Sequence, residues 1–315
     1  MANPEASIVP AAPKRNGIIK RLKKDKYYYF MLVIPFIILI VFRVLPVVGN
    51  VIAFRRYTVG GPMFGESWAG LRYFERFISD PMFWTAFKNS LILSITGLVI
   101  NFPLPIIFAL LINEIDNMLF RRFTQTISYL PRFLSTVIVV GMLREILSPD
   151  SGVINIILSN LGIEPIYFLN EAPWFRIIYI VSNTWQFTGY NAIIYLAALT
   201  SINPELYEAA EMDGAKRFAK MINISIPGIM TTVIYLLLLN IGYMLMLGLD
   251  KSLLLYTPSN ASTADIIETY VYRMGIERNN FSYAAAAGLF GSTIAVFLLT
   301  TSNAISKKLT DISFF

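Results

Sequence analysis

Histidine and cysteine are both absent from the 315 residues, which closes off disulfides, thiolate metal sites, imidazole catalysis and haem ligation. Carboxylate-only metal sites remain open in principle. The side chains with chemical reach are amides and aromatics set inside apolar stretches. The run "SNTWQFTGY" (182–190) places Asn183, Gln186 and Tyr190 three, four and seven residues apart, on one face of a helix. Ring faces stack on the C–H surface of a sugar, and amides meet its hydroxyls. The same residue types also serve as hydrogen-bonding glue between helices. Asn240 and Tyr243 repeat the pattern in a later apolar stretch. Arg132 is a sharper case. It stands about ten residues past the pair Arg121 and Arg122, and on a straight helix that is about 15 Å into a hydrocarbon core of about 30 Å. A guanidinium at that depth costs roughly 2.5–3.5 kcal/mol, so it needs a partner. A carboxylate on another subunit, carbonyls freed around Pro131, or an anionic sugar group would each serve.

The elements that hold these residues are set by composition. The chain is 56% hydrophobic and only 15% charged, against about 25% charged for an ordinary soluble domain, and its mean hydropathy is +0.59. The apolar residues come in blocks of spanning length, at 27–54, 84–113, 123–147, 174–200, 228–249 and 283–305. The expected fold is all-α: a polytopic membrane helix bundle of about six transmembrane helices. The basic run before residue 27 resembles the front of a signal peptide, but no small-residue cleavage site follows it, so the first block reads as an uncleaved span. The positive-inside rule keeps that run in the cytoplasm, and six spans return Lys307 and Lys308 to the same side. Loops carrying Arg121 and Arg122, and Lys216, Arg217 and Lys220, agree; the long 55–83 loop, with Arg55, Arg56, Arg72 and Arg76, is a partial exception. The resulting organisation is a cytoplasmic segment at 1–26, a first span at 27–54, an extracytoplasmic loop at 55–83, a core at 84–306 with a cytoplasmic loop at 203–228, and a cytoplasmic tail at 307–315. A net charge of +6 does not imply nucleic acid, because the basic residues gather at the amino terminus and span ends rather than on a face interleaved with aromatics.

The loop at 203–228 reads "NPELYEAAEMDGAKRFAKMINISIPG". Asn203 is an N-cap followed by Pro204, Glu205 and Glu208 suit the positive end of the helix dipole, and Lys216, Arg217 and Lys220 suit the other. Leu206, Ala209, Ala210 and Phe218 fall on one face. A glycine inside a helix costs about 1 kcal/mol against alanine, so Gly214 marks a bend or a contact. Pro227 and Gly228 are expected to end the segment where the next span begins. On the physics alone, an amphipathic helix lying on the headgroups is an equal reading.

The string "YEAAEMDGA" followed by "INISIPGI" closely resembles the EAA motif of ABC importer permeases, on Glu208, Ala209, Ala210, Asp213, Gly214 and Pro227. The likeness extends over most of the chain through "KNSLILS" (88–94), "LLINE" (110–114), "QTISYLPRFLS" (125–135) and "FSYAAAAGLF" (281–290). It is similar to the sugar-importer branch, especially permeases for complex oligosaccharides and polysaccharide fragments. The resemblance implies a Type I importer in a bacterial cell membrane. Its parts are two homologous permease subunits, expected here as a heterodimer, an ATPase dimer beneath them and an extracellular solute-binding protein above. It implies that the EAA loop docks into the ATPase, that ATP and magnesium are held there, and that this chain binds no cofactor or metal and is not an enzyme. In that branch the stretch beginning Asn-Thr-Trp supplies sugar contacts, which carries over to Asn183 and Tyr190. The chain has no Walker A pattern of its own.

Two other classes fit less well. Ion-coupled transporters carry carboxylates deep in their helices, whereas Glu114, Asp116, Glu145 and Asp250 fall near the block ends and no inverted repeat is visible. A membrane enzyme would need paired acids in or beside a span, and none is offered. Among importer cargoes, peptides and amino acids are the runner-up to sugars.

Overall fold

The computed structural model describes residues 24–310, 312 and 313; the basic run through Lys23 lies outside the described residues. The chain forms two units, Met1–Val51 and Ile52–Phe315. In the first, α1 (Lys26–Leu39) runs through a π-turn at Ile40–Val44 into α2 (Leu45–Gly49). This helix is apolar on every side, as a helix in hydrocarbon is.

The second unit opens with a short antiparallel pair, β1 (Arg55–Arg56) and β2 (Ser67–Trp68), with Arg55 opposite Trp68. There follow α3 (Arg72–Ile78), α4 (Pro81–Asn101), α5 (Pro103–Asn113), α6 (Met118–Tyr129), α7 (Thr136–Ile146), α8 (Val153–Asn160) and α9 (Ala172–Thr200). Beyond them come α10 (Pro204–Met212), α11 (Arg217–Lys220), α12 (Ile226–Gly242), α13 (Leu249–Leu255), α14 (Ala261–Ala264), α15 (Ile267–Tyr272) and α16 (Phe281–Thr310). The expected all-α class holds. Among the described residues four helices are long and apolar enough to cross a membrane: Lys26–Phe54, Pro81–Asn113, Arg217–Gly242 and Phe281–Lys308. The fourth expected block, at 174–200, is the 29-residue α9. At 1.5 Å per residue it is about 43 Å long, but its polar centre sets it apart from the apolar four. It is also the most enclosed, with Tyr179, Ser182, Gln186, Ala192, Tyr195 and Leu199 among its buried residues.

The 123–147 block is not one straight span. Met118–Phe133 and Thr136–Ile146 meet at 97°. Pro131 stands in a 3-10 turn at Leu130–Phe133, Leu134 is extended (ψ 133°), and Ser135 caps α7 by accepting from the Ile138 amide at 3.3 Å. A proline followed by an N-cap serine stops one helix and starts another. The depth of Arg132 therefore cannot be counted along a single axis.

The 228–249 block is also corrected at both ends. Its helix begins at Arg217, passes through a π-turn at Met221–Ser225 and stops at Gly242. Residues 243–248 turn the chain, and α13 folds back.

Three apolar clusters hold the unit. Phe77, Phe83, Tyr270, Tyr283 and Ala286 join α3, α4, α15 and α16. Leu93, Val140, Phe175, Tyr179, Leu255 and Ile266 join α4, α7, α9 and α13. Ala109, Ile112, Tyr195, Leu199 and Ile229 join α5, α9 and α12.

Candidate functional site

Asn183, Asn240 and Tyr243 come together. They line a cavity of about 250 Å³ with Ser94, Asn101, Tyr179, Asn191 and Leu247. A second cavity of about 150 Å³ shares Asn101, Phe102, Asn191 and Asn240 with it. Asn240 donates its amide nitrogen to the Leu236 carbonyl of its own helix at 2.8 Å. The wall at 243–248 is hooked in place: Ser94 donates to the Met244 carbonyl and Tyr179 to the Leu247 carbonyl. Amides and phenols of both hydrogen-bonding senses around one hollow suit a polyhydroxylated ligand.

Gln186 does not join them. It is buried (3% exposed), donates to the Leu134 carbonyl at 3.0 Å, and accepts from Lys251 at 3.3 Å. It thus ties α9 and α13 to the break between α6 and α7, the bonding between helices that its type also allowed. Tyr190 lies outside the cavity as well, with Arg132. The Arg132 guanidinium sits 5.1 Å from the Phe187 ring centroid and 5.4 Å from that of Tyr190. Arg132 makes no ion pair among the described residues. Its partner within the chain is this pair of ring faces, an arrangement worth about 0.5–1 kcal/mol at exposed sites that none of the three expected partners described. Trp185, on another side of α9, lines a separate apolar cavity of about 390 Å³ with Val139, Leu143 and Ile177.

Sequence reasoning missed Asn101, Asn191 and Lys251. The first two are amides in apolar blocks and carried the same signal as Asn183. Lys251 is 6% exposed, yet in the sequence it stands just past a span, where lysine is ordinary.

The EAA residues lie on α10 and the turn after it. Asn203 caps α10, accepting from the Glu205 amide at 3.1 Å. Gly214 is not inside a helix: α10 ends at Met212, and Gly214 takes the left-handed conformation (φ 77°). Its amide donates to the Glu211 carbonyl at 3.0 Å and the Ala215 amide to the Ala210 carbonyl at 2.9 Å, the glycine-terminated stop of a helix. Pro227 and Gly228 end nothing, because the helix runs through them. Gly228 is there for contact: a Cβ at that position would stand 2.5 Å from Ile202 Cδ1. Tyr207 and Ser225 share a hydrogen bond of 2.9 Å and Lys220 pairs with Glu211, so α10 rests on α11 and on the base of α12, while Arg217 of α11 pairs with Asp116 at 2.6 Å and ties α11 to the 114–117 turn. Glu208, Ala209, Asp213, Gly214 and Pro227 are exposed and Ala210 half-buried. Leu206, Met212 and Phe218 are also exposed, Met212 to 86%. The outward face of this loop therefore mixes charged side chains with apolar ones and is uncovered by the chain's own described residues.

A polar-centred helix bundle with an exposed EAA loop matches one family throughout its core. Residues 101–311 match the family model of the binding-protein-dependent transport system inner membrane component, and the chain belongs to that family. It is a multi-pass membrane transport subunit of a binding-protein-dependent system, not an enzyme. It is 40% identical over 295 residues to the polygalacturonan/rhamnogalacturonan transport system permease protein YteP of Bacillus subtilis, covering 94% of this chain and 92% of that protein. It is 39% identical over 307 residues to protein LplB of the same organism, covering 97% and 96%. Its fold superposes with a TM-score of 0.86 on a chain of the crystal structure of a bacterial ABC transporter involved in the import of the acidic polysaccharide alginate, at 39% identity, over 93% of this chain and 99% of that one. The same score and identity hold against that alginate transporter in complex with an alginate pentasaccharide-bound periplasmic protein.

Proposed function

We propose that this chain is one permease subunit of an ATP-driven importer for oligosaccharides released from acidic, uronate-bearing polysaccharides, in a bacterial cell membrane. One observation carries the cargo reading. The cavity is walled by Asn101, Asn183, Asn191, Asn240 and Tyr243, and two cations stand along α9, Lys251 at Asn183 and Arg132 at Tyr190, neither paired with a carboxylate among the described residues. Amides and phenols bind hydroxyls, and cations without a carboxylate partner favour an anionic solute. The names of the relatives point the same way.

The solute arrives from an extracellular binding protein and passes between this chain and a second, homologous permease. The stroke comes from an ATPase dimer, where ATP and magnesium reside, and it enters through the EAA loop. Glu208, Ala209, Ala210, Asp213 and Gly214 present the docking surface, with Leu206, Met212 and Phe218 as its apolar anchors; such anchors dominate interfaces once water is excluded. Motion of α10 is passed on by its bonds to the base of α12, the helix that carries Asn240. The test is to purify the tagged chain from cells expressing it with its neighbouring transport genes. An ATPase subunit and a second permease should come down with it, and uptake of a uronate oligosaccharide should require this chain. Uptake that persists without the chain, or purification of the chain with neither partner, would defeat the reading.

A further inference from the structure

Lys251 reaches the interior by a local reversal of the chain. After α12 the backbone turns at Gly248 (φ 94°), whose amide donates to Glu268 at 3.3 Å, and α13 then packs against α7 and α9. Arg144 fastens the far end of α13 by donating to the Leu254 carbonyl at 2.7 Å. The Lys251 ammonium donates to Asn183 Oδ1 at 2.6 Å and to Gln186 Oε1 at 3.3 Å, and faces the Tyr179 ring at 5.9 Å from its centroid. No carboxylate lies within 4 Å of it among the described residues.

An ammonium has three donors and no acceptor. Both carboxamides must therefore turn their oxygens toward Lys251 and their nitrogens away. For Gln186 the nitrogen meets the Leu134 carbonyl. Asn183 lines the cavity together with Tyr179, and with its oxygen taken by Lys251 its nitrogen is the end left to serve that cavity. The donors of Asn183 are thereby polarised by the cation behind its oxygen. Hydrogen bonds that carry part of an ionic charge are the stronger kind, and their natural acceptor is a carboxylate.

We infer that Lys251 is a positioning residue for cargo selection: it locks Asn183 with its donors toward the cavity and supplies the positive charge that makes a sugar carboxylate preferred over a neutral sugar. The inference rests on the importer reading given above and adds the group that sets the preference. Lys251 does not itself line the cavity and acts through Asn183.

The test measures uptake by the intact importer in cells of uronate oligosaccharides prepared from polygalacturonan and alginate, and of the same oligosaccharides after carboxyl reduction. Wild type should favour the acidic set. Lys251→Met should lower the acidic-to-neutral ratio about tenfold while uptake of the reduced set stays within about twofold of wild type. Asn183→Asp keeps Lys251 paired but replaces donors by a carboxylate, so it should lower the ratio at least as far. Equal loss on both sets in Lys251→Met, or failure of that variant to assemble while Asn183→Asp keeps the wild-type ratio, would make Lys251 a scaffold residue and overturn the inference alone. A wild-type importer that takes up none of the acidic set would instead overturn the cargo reading, and the inference with it.

Discussion

Arg132 and Tyr190 form an exposed pair outside the cavity, and their contact gives a residue-level prediction. A guanidinium whose partners are two ring faces and which makes no ion pair among the described residues has donors left for a bidentate carboxylate. If that edge meets the cargo, Arg132→Gln should reduce uptake of a uronate oligosaccharide about tenfold or more, the equivalent of a lost charge-assisted bond of about 1.5–3 kcal/mol, and reduce its carboxyl-reduced analogue much less. Equal loss on both would place Arg132 in the scaffold of the bend. Asn183, Asn240 and Tyr243 were readable from the sequence because amides and a phenol in apolar runs have few uses other than ligand contact or helix bonding. Gln186, of the same types, took the second use. Lys251 was not readable, because its burial depends on the turn at Gly248, and no local pattern distinguishes a lysine that folds inward from one that reaches for headgroups.

At the scale of elements, the helices were legible and their interruptions were not. Apolar runs announce a helix, but the 97° break at Leu134 depends on Pro131 acting together with the Ser135 cap, and the proline alone suggested only a kink. Gly214 looked internal because helix-forming residues flank it on both sides; its left-handed φ makes it the stop. Two predictions follow from these positions. Glu208 is exposed and has no described partner bond, so Glu208→Lys should leave the fold intact while abolishing substrate-stimulated ATPase activity of the assembled complex, through a reversed charge desolvated at the docking face. Gly214→Asp should do the same with an added strain of about 1–2 kcal/mol. Unchanged assembly and stimulation in both variants would remove the loop from the coupling path. Separately, Gly228→Val should lower stability in detergent by about 1–3 kcal/mol through overpacking on Ile202, and Ile202→Ala should restore part of it. A loss that the second substitution does not relieve would trace the glycine to backbone freedom instead.

For the whole molecule, the arrangement of loops depends on sidedness. The native chain has no thiol, so single cysteines report cleanly. Cysteines at Ser151 and Ser259, both exposed in loops, should react with an impermeant reagent in intact cells, and cysteines at Ala215 and Ser313 should not; labelling of the latter pair would invert the topology. The class of the molecule was legible from its apolar composition together with the resemblance of the 203–228 loop to the EAA motif, since on the physics alone that loop read equally as an amphipathic helix on the headgroups. Its cargo was less legible, because the cavity is assembled from α4, α9 and α12, helices whose contact no single segment encodes.

The most direct test of the account is ATP-driven uptake into proteoliposomes containing this chain, its companion permease and its ATPase, with the binding protein loaded outside. Uronate oligosaccharide should enter only when ATP is present and binding protein is added, and Glu208→Lys should abolish entry while the complex remains assembled. Entry that needs neither ATP nor binding protein, or that follows an imposed proton or sodium gradient instead, would contradict it.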